Sequence, residues 1–450
     1  MAESLHFVGI GGTGMSALAQ FHSFGQAATT GSDRLLDRGQ IAEWRSGFEA
    51  LGIRLFPQDG SGITQATGRV VVSTAVEDTN PDIAKAKALG RPLVHRADFL
   101  AEQVAAHRAL AVSGTSGKST VTAMVYEVLE AAKRSPSVIT GGGLRLLEAR
   151  GLLGNAARGS SDLLVIEADE SDGSLVRYAP WLGLLLNVGK DHKDLADLME
   201  IFKAFRSHCG RFVVNGDAAN LGEFLPGAKT FGFSSGCAVR GQELDLAPGR
   251  IRFRANGVFF ELPLDGEHNA MNALAASAAC LEAGVPLEAS AEALRSYKGV
   301  MRRFERVGTA RGVTVVDDYA HNPDKVRAAL AAAKLCAPRV LAVFQPHGYG
   351  PTRFLKDDFI AAFSESLRPE DRLWMPEIYY AGGTAVKNIS AADLVSPIAE
   401  RGRRASFLPD RKDVAAAVAA EAREGDLVLL MGARDPSLSA YARSLLAALG

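Results

Sequence analysis

LHFVGIGGTGMSALAQF (residues 5–21) and ALAVSGTSGKSTVTAMV (residues 109–125) each carry a short apolar run into a glycine-rich turn and out into apolar residues at helical spacing. Strand, turn, helix is the opening of a doubly wound α/β unit, in which the turn brings phosphate to a helix N-terminus. The two turns differ in kind. Gly9-Ile10-Gly11-Gly12-Thr13-Gly14 fits G-x-G-x-x-G, with Asp33 near the end of the next expected strand. Taken alone, it reads as a dinucleotide site, a site for another diphosphate, or a structural turn. Gly114-Thr115-Ser116-Gly117-Lys118-Ser119 fits the end of a Walker loop, although Val112 stands where the strict pattern has glycine. There, backbone N–H groups cradle phosphates, Lys118 neutralises their charge and Ser119 Oγ reaches Mg2+. Two such turns imply two phosphorylated ligands, which favours group transfer between them over single-nucleotide chemistry.

Outward from the first turn, Val70–Ser73 and Leu93–His95 read as further strands with a helix over Ala84–Leu89 between them, closing a first domain at residues 1–106. From the second turn, the spacing predicts a helix over Thr120–Ala132, buried parallel strands at Leu163–Glu167 and Leu182–Asn187, and a β-rich stretch over 229–265 with a hairpin at Asn256-Gly257. A helix follows from Glu267 to Ala279, ending a second domain at residues 107–299. Val313–Asp317, Val340–Phe344, Leu373-Trp374 and Leu427–Met431 alternate with alanine-rich helical stretches and make residues 300–450 another doubly wound sheet. The expectation is an α/β protein of three domains, within the two or three that 450 residues favour.

Lys+Arg 50 against Asp+Glu 51 leaves a formal net charge of -1, so no global field draws in nucleic acid or an anionic membrane. Cys209, Cys237, Cys280 and Cys336 are scattered without metal-ligand spacing and read as buried thiols of a reducing compartment. No apolar run approaches the roughly 18 residues of a membrane span, and the expected location is cytoplasmic.

Polar residues gather at the ends of the expected strands, where doubly wound sheets bind ligands. Glu167 closes one strand and opens Glu167-Ala168-Asp169-Glu170-Ser171-Asp172. Its carboxylate is placed to share a metal with Ser119. The other acids of the run read as a solvated loop, and Asp172 reads equally as loop or site. Asp191 and His192 follow the next strand. His192 is either a second metal ligand or a polar residue satisfied by backbone. Lys203 reads as a surface lysine or an added charge. Arg302-Arg303, Asp317–Pro323 and Gln345–Tyr349 supply the third domain's share.

Together GIGGTGMSALA (9–19), TTGSDR (29–34), GTSGKST (114–120), IEADESDGS (166–174), GEHNAMNALAA (266–276), KGVMRRFE (298–305), VVDDYAHNP (315–323), VFQPH (343–347) and LVLLMGA (427–433) resemble, in order and spacing, the Mur ligase family and within it the UDP-N-acetylmuramate–alanine ligase type. The resemblance covers nearly the whole chain. It implies a Rossmann-like domain for a UDP-sugar, a central P-loop ATPase-like domain, and a C-terminal Rossmann-like domain that completes the ATP and amino-acid sites. It reassigns the first turn from NAD to a UDP-sugar diphosphate, with Gly11, Gly12, Thr13, Gly14, Ser32, Asp33, Ser73 and Thr74 as contacts.

By motif position, Gly114, Thr115, Gly117, Lys118, Ser119 and Thr120 hold ATP phosphates, His268, Asn269 and Asn272 line the adenine side, and Arg303 and Asp318 reach the γ-phosphate and ribose. Ser119, Glu167 and His192 are the implied Mg2+ ligands. Lys118, Arg303 and His347 are the implied catalytic residues, and His321, Tyr349 and Arg353 face the remaining substrate. The implied reaction is ATP-dependent activation of a UDP-sugar acid to an acyl phosphate, then attack by an amino acid, L-alanine by default, in peptidoglycan precursor synthesis by a monomer or homodimer.

The departures fall where the amine is expected. Ser116 and Asn322 stand where that type usually has histidine, Gly348-Tyr349-Gly350-Pro351-Thr352-Arg353 retains one arginine of its R-Y-x-R-T-R segment, and Arg434 replaces a glycine. A guanidinium grips a carboxylate through two parallel hydrogen bonds, which glycine cannot do. A ligase for another amino acid or a peptide, and a non-catalytic nucleotide-binding regulator, are the alternatives. An NAD-dependent oxidoreductase leaves Lys118, Glu167 and His192 unused.

Overall fold

The computed structural model describes residues 3–189, 194–380 and 385–450. Three sheets follow one another along the chain. The first is wholly parallel, in the order β3-β2-β1-β4-β5, from β1 (Leu5–Val8), β2 (Thr29–Ser32), β3 (Arg54–Phe56), β4 (Arg69–Val72) and β5 (Leu93–His95). The order reverses at β1, which places a crevice over the first glycine turn.

The central sheet has ten strands: β6 (Arg108–Ser113), β7 (Ser137–Ile139), β8 (Ala156–Ala157), β9 (Leu163–Glu167), β10 (Leu182–Leu185), β11 (Arg211–Asn215), β12 (Lys229–Gly232), β13 (Val239–Ala247), β14 (Arg250–Ala255) and β15 (Val258–Leu262). Its order is β15-β14-β13-β12-β11-β10-β6-β9-β7-β8, so β6, which leads into the Walker-like turn, sits between β10 and β9. The β13–β15 meander is antiparallel, and the hairpin expected at Asn256-Gly257 joins β14 to β15. The third sheet runs β16-β17-β21-β18-β19-β20, from β16 (Glu305–Ala310), β17 (Val313–Asp318), β18 (Val340–Gln345), β19 (Arg372–Met375), β20 (Ala405–Phe407) and β21 (Leu427–Gly432). Only β16 is antiparallel to its neighbour there, and it forms the edge.

The helix Lys118–Ala131 is buried almost all round, with Val121, Met124, Val125, Val128 and Leu129 inside. It packs on the helix Glu267–Glu282, whose run of alanines lets the two backbones approach closely. Phe7, Leu18 and Phe21 of the first domain share one apolar cluster with Leu164, Ile166 and Phe205 of the central domain. Across this seam Asn155 Nδ2 donates to Thr13 O and Ser16 Oγ, at 2.9 and 2.7 Å.

Two expectations need correction. The helix after the second turn starts at Lys118 rather than Thr120, because left-handed Gly117 is its N-cap. Cys280 is buried, but Cys209, Cys237 and Cys336 are half-buried. Among the described residues no helix is long and apolar enough to cross a membrane.

Candidate active site

The Walker-like loop holds its shape through two glycines and one asparagine. Gly114 and Gly117 have φ of 131° and 88°. A Cβ on Gly114 would lie 3.0 Å from Asn187 O, and one on Gly117 2.7 Å from Asn272 Oδ1. Glycine is therefore required twice, by backbone conformation and by space. Asn187, just past the end of β10, clamps the loop: its Oδ1 accepts from Ser116 N at 2.8 Å and its Nδ2 donates to Ser116 O at 3.0 Å. Thr115 N and Ser116 N are taken by Asn187, so an anion would meet the N–H groups that follow, at the N-terminus of the helix Lys118–Ala131.

Lys118 Nζ lies 2.6 Å from Glu170 Oε2 and 3.2 Å from Asp169 Oδ1. Burial alone would pull its ammonium down, yet the carboxylates of Asp169, Glu170 and Glu167 outweigh that and hold it above the ordinary lysine value. Glu170 is 3% exposed, so the reading of these acids as a solvated loop is wrong for it. Consecutive acids look hydrophilic in sequence, and the buried cation that pairs with them arrives from a different element.

Glu167, at the end of β9, is oriented by three donors: Ser119 Oγ at 3.0 Å, Thr140 Oγ1 at 2.8 Å and Gly141 N at 3.0 Å. Ser119 Oγ also accepts from Arg303 Nη2 of the third domain at 3.0 Å. A hydroxyl and a carboxylate in contact suit a hard cation that keeps several waters. His192, the other expected ligand, lies outside the described residues. Among the described residues no group of three or more His, Cys, Asp or Glu could hold a metal ion. Lys203 pairs with Glu200 and Glu223 at the surface.

Beside the loop opens a cavity of about 410 Å3 between the central and third domains, within the usual range for a small-molecule site. Thr115, Gly117, Thr120, His268, Asn269 and Asn272 line it from one side, and Arg303, Phe304, Asp318 and Lys325 from the other. His268 is exposed on the cavity wall, and desolvation by the protein around it lowers its pKa to about 4. Burial pushes the Asp318 carboxyl up, while Phe304 N and Ala320 N, each 2.7 Å away, donate to it. Asp318 thus also fixes the linker that carries Arg303.

His321 and His347 stand together, their ring centroids 5.5 Å apart. Burial takes His321 well below the ordinary value; its Nδ1 faces Tyr319 O at 2.8 Å and its Nε2 faces Lys325 Nζ at 3.4 Å. Tyr349 packs on Tyr380, while Arg353 Nη2 donates to Val386 O at 2.9 Å.

In the first domain Gly11 N donates to Asp33 Oδ2 at 2.9 Å, and a Cβ on Gly11 would collide with Ile41. Gly12, Thr13 and Thr74 are exposed, with Gly14 and Ser73 half-buried. Ser32 instead is buried and donates to Asp82. Arg96, which no motif singles out, lies where a Cβ on Gly14 would be 3.0 Å from its Nη1, and it pairs with Asp172. Asp172 therefore ties the acidic loop to the first glycine turn. No sequence signal marks it, since a lone arginine opening a helix carries no pattern.

Three family models match in chain order: "Mur ligase family, catalytic domain" over residues 4–108, "Mur ligase middle domain" over 112–280 and "Mur ligase, glutamate ligase domain" over 302–434. The chain is 35% identical to a UDP-N-acetylmuramate–L-alanine ligase of Acidobacterium capsulatum over 454 residues, covering 97% of this chain and 96% of that protein. Identity to the one of Sorangium cellulosum is also 35%, over 96% of this chain and 93% of that one. Among solved structures, a UDP-N-acetylmuramate-alanine ligase from Thermotoga maritima superposes with a TM-score of 0.79 at 27% identity, covering 99% of this chain and 98% of that one. A murein peptide ligase from Psychrobacter arcticus shares the fold at a TM-score of 0.71 and 22% identity, over 100% of this chain and 99% of that one. Matched in chain order by all three family models and by a relative at 35% identity over nearly its full length, the chain belongs to the Mur ligase family.

Proposed function

We propose that the protein is an ATP- and Mg2+-dependent ligase that joins L-alanine to the carboxylate of UDP-N-acetylmuramate, with an acyl phosphate between the two half-reactions. The observation that carries this reading is the reach of Arg303 from the third domain to Ser119 Oγ, 3.0 Å away, beside Glu167 and the Walker-like loop. Support for the substrates comes from the 35% identity to L-alanine ligases over nearly the full length. We set the domain limits at 1–106, 107–299 and 300–450, in keeping with the three sheets.

In the first step a carboxylate oxygen attacks the γ-phosphorus and the bond to the bridging oxygen breaks, releasing ADP. Two anions must meet, and Lys118 and Arg303 offset their repulsion and the charge on the migrating group. The ATP phosphates compete with Glu170 and Asp169 for Lys118. Ser119 and Glu167 would hold Mg2+, which would supply neutralisation of the phosphate charge. His268, Asn269 and Asn272 take the adenine side, and Asp318 the ribose. The UDP diphosphate takes the first turn, at Gly11, Gly12, Thr13 and Gly14, with Ser73, Thr74 and Asp33 at its border.

In the second step the amine nitrogen forms the C–N bond, phosphate leaves with the C–O electrons, and the nitrogen sheds a proton. We assign that proton to His347, whose ring lies beside that of His321 with the centroids 5.5 Å apart. Closure of the cavity between domains protects the acyl phosphate from water.

ADP and phosphate release with ATP, Mg2+ and UDP-N-acetylmuramate, across a panel of amino acids and alanyl peptides, tests the reading. Release dependent on L-alanine is expected, and Lys118→Ala should lower kcat by about 10²-fold or more. Release dependent on a peptide alone would move the chain to peptide ligation, and no release with any amine would end the ligase reading.

A further inference from the structure

Arg434 is an arginine in a glycine's conformation. Its φ is 62°, left-handed, in an exposed position two residues beyond the end of β21. Such backbone strain in a bulky residue survives where its surroundings over-determine it, and here both flanks are pinned. Gly432 O accepts from Arg302 Nη2 at 2.8 Å. Asp435 is 3% exposed and takes Arg411 and, at 2.9 Å, Ser437 N.

The place is also informative. β21 lies between β17 and β18, all three parallel, with Met431 in register with Asp318 and Gly432 with Gln345. Arg434 therefore emerges at the carboxyl ends of the central strands, between the element that ends in Asp318 at the cavity and the one that continues into His347. Ligands of doubly wound sheets bind at such ends.

Other guanidiniums of the third domain are engaged: Arg302 with Asp317, Arg303 with Ser119, Arg411 with Asp435, and Arg353 with Val386 O. Arg434 makes no hydrogen bond or ion pair among the described residues.

We propose that Arg434 binds the carboxylate of the incoming amino acid and so sets the enzyme's preference for a free α-amino acid. This rests on the ligase reading above. A guanidinium holds a carboxylate through two parallel, charge-assisted hydrogen bonds, and with the carboxylate fixed the amine is aimed at the activated carbonyl.

The test compares wild type with Arg434→Gly and Arg434→Lys, using L-alanine and L-alaninamide, which differ at the carboxylate. Arg434→Gly should raise the KM for L-alanine about ten-fold or more while leaving the KM values for ATP and UDP-N-acetylmuramate within about two-fold. The wild-type preference for L-alanine over its amide should collapse in Arg434→Gly and return in part in Arg434→Lys. Glycine adopts this φ freely, so the variant should melt no lower than wild type, which separates the effect from misfolding. An active Arg434→Gly with an unchanged alanine KM and an unchanged amide preference overturns the proposal alone. A rise confined to the ATP KM overturns it too, by placing the side chain on the nucleotide. A wild type that releases no ADP with any amine overturns the ligase reading and this one with it.

Discussion

Glu127 shows how one buried carboxyl can tie the phosphate-loop helix to the linker before the third domain. It is 7% exposed, its Oε2 accepts from Lys298 N at 3.3 Å, and its Oε1 has no partner among the described residues. Burial raises its pKa from 4.5 to about 7, against the smaller pull of the Lys298 N–H and of the Lys298 and Arg150 charges. Below about pH 4.5 both folded and unfolded chains hold this proton. Between about 4.5 and 7 the unfolded chain loses it first, so stability falls as pH rises, by about 3 kcal/mol across the window. Glu127→Gln should remove that slope and exceed wild type in stability above pH 7. Urea unfolding of both proteins at pH 5 and pH 8 checks this, and a wild type more stable at pH 8 relative to the variant would contradict it. In the candidate site, the grouping of Lys118, Ser119 and Glu167 is legible in the sequence, because phosphate-loop patterns restrict residue type at fixed spacing. Glu170 and Arg96 are not, because each acquires its role from a partner many residues away.

At the level of elements, the Walker-like turn is a fixed mould. Gly117→Ala forces a Cβ into left-handed backbone (φ 88°) and against Asn272 Oδ1 at 2.7 Å. The variant should lose about 1–2 kcal/mol of stability and bind ATP about ten-fold more weakly. Thermal melting and titration with a non-hydrolysable ATP analogue measure the two effects; unchanged affinity would show that the turn tolerates a side chain. The strands that read clearly, Leu163–Glu167 and Leu427–Gly432, are apolar runs buried on both faces. Thr29–Ser32, TTGS, ends just before Asp33, where the second strand is expected; its polar residues are held in the sheet by pairing with β1 and β3. The edge strand of the third sheet does not read. Glu305–Ala310 is a half-exposed edge whose register shifts between Arg306 and Gly308, which blurs its alternation.

Across the whole molecule, the linker into the third domain fixes where Arg303 can go. Arg302 and Phe304 on either side of it have φ of 55° and 48°, and Phe304 N is held by Asp318. Arg145 N donates to Gly299 O at 3.1 Å, and Arg145 pairs with Glu305 across the seam. Arg303→Ala should therefore lower kcat by about 10²–10³-fold and leave UDP-N-acetylmuramate binding to the first domain unchanged. Turnover assays and calorimetric titration of the UDP-sugar measure the two; weakened UDP-sugar binding would mean that the domains do not divide the work this way. The clasp of Lys118 by Glu170 and Asp169 has a consequence for ionic strength. The lysine already carries its own counter-ions, so ATP arrives by exchanging one anion for another rather than by filling a net positive well. Added salt then screens the incumbent carboxylates as well as the newcomer, and nucleotide affinity should fall less steeply with salt than the charge of its phosphates alone would dictate.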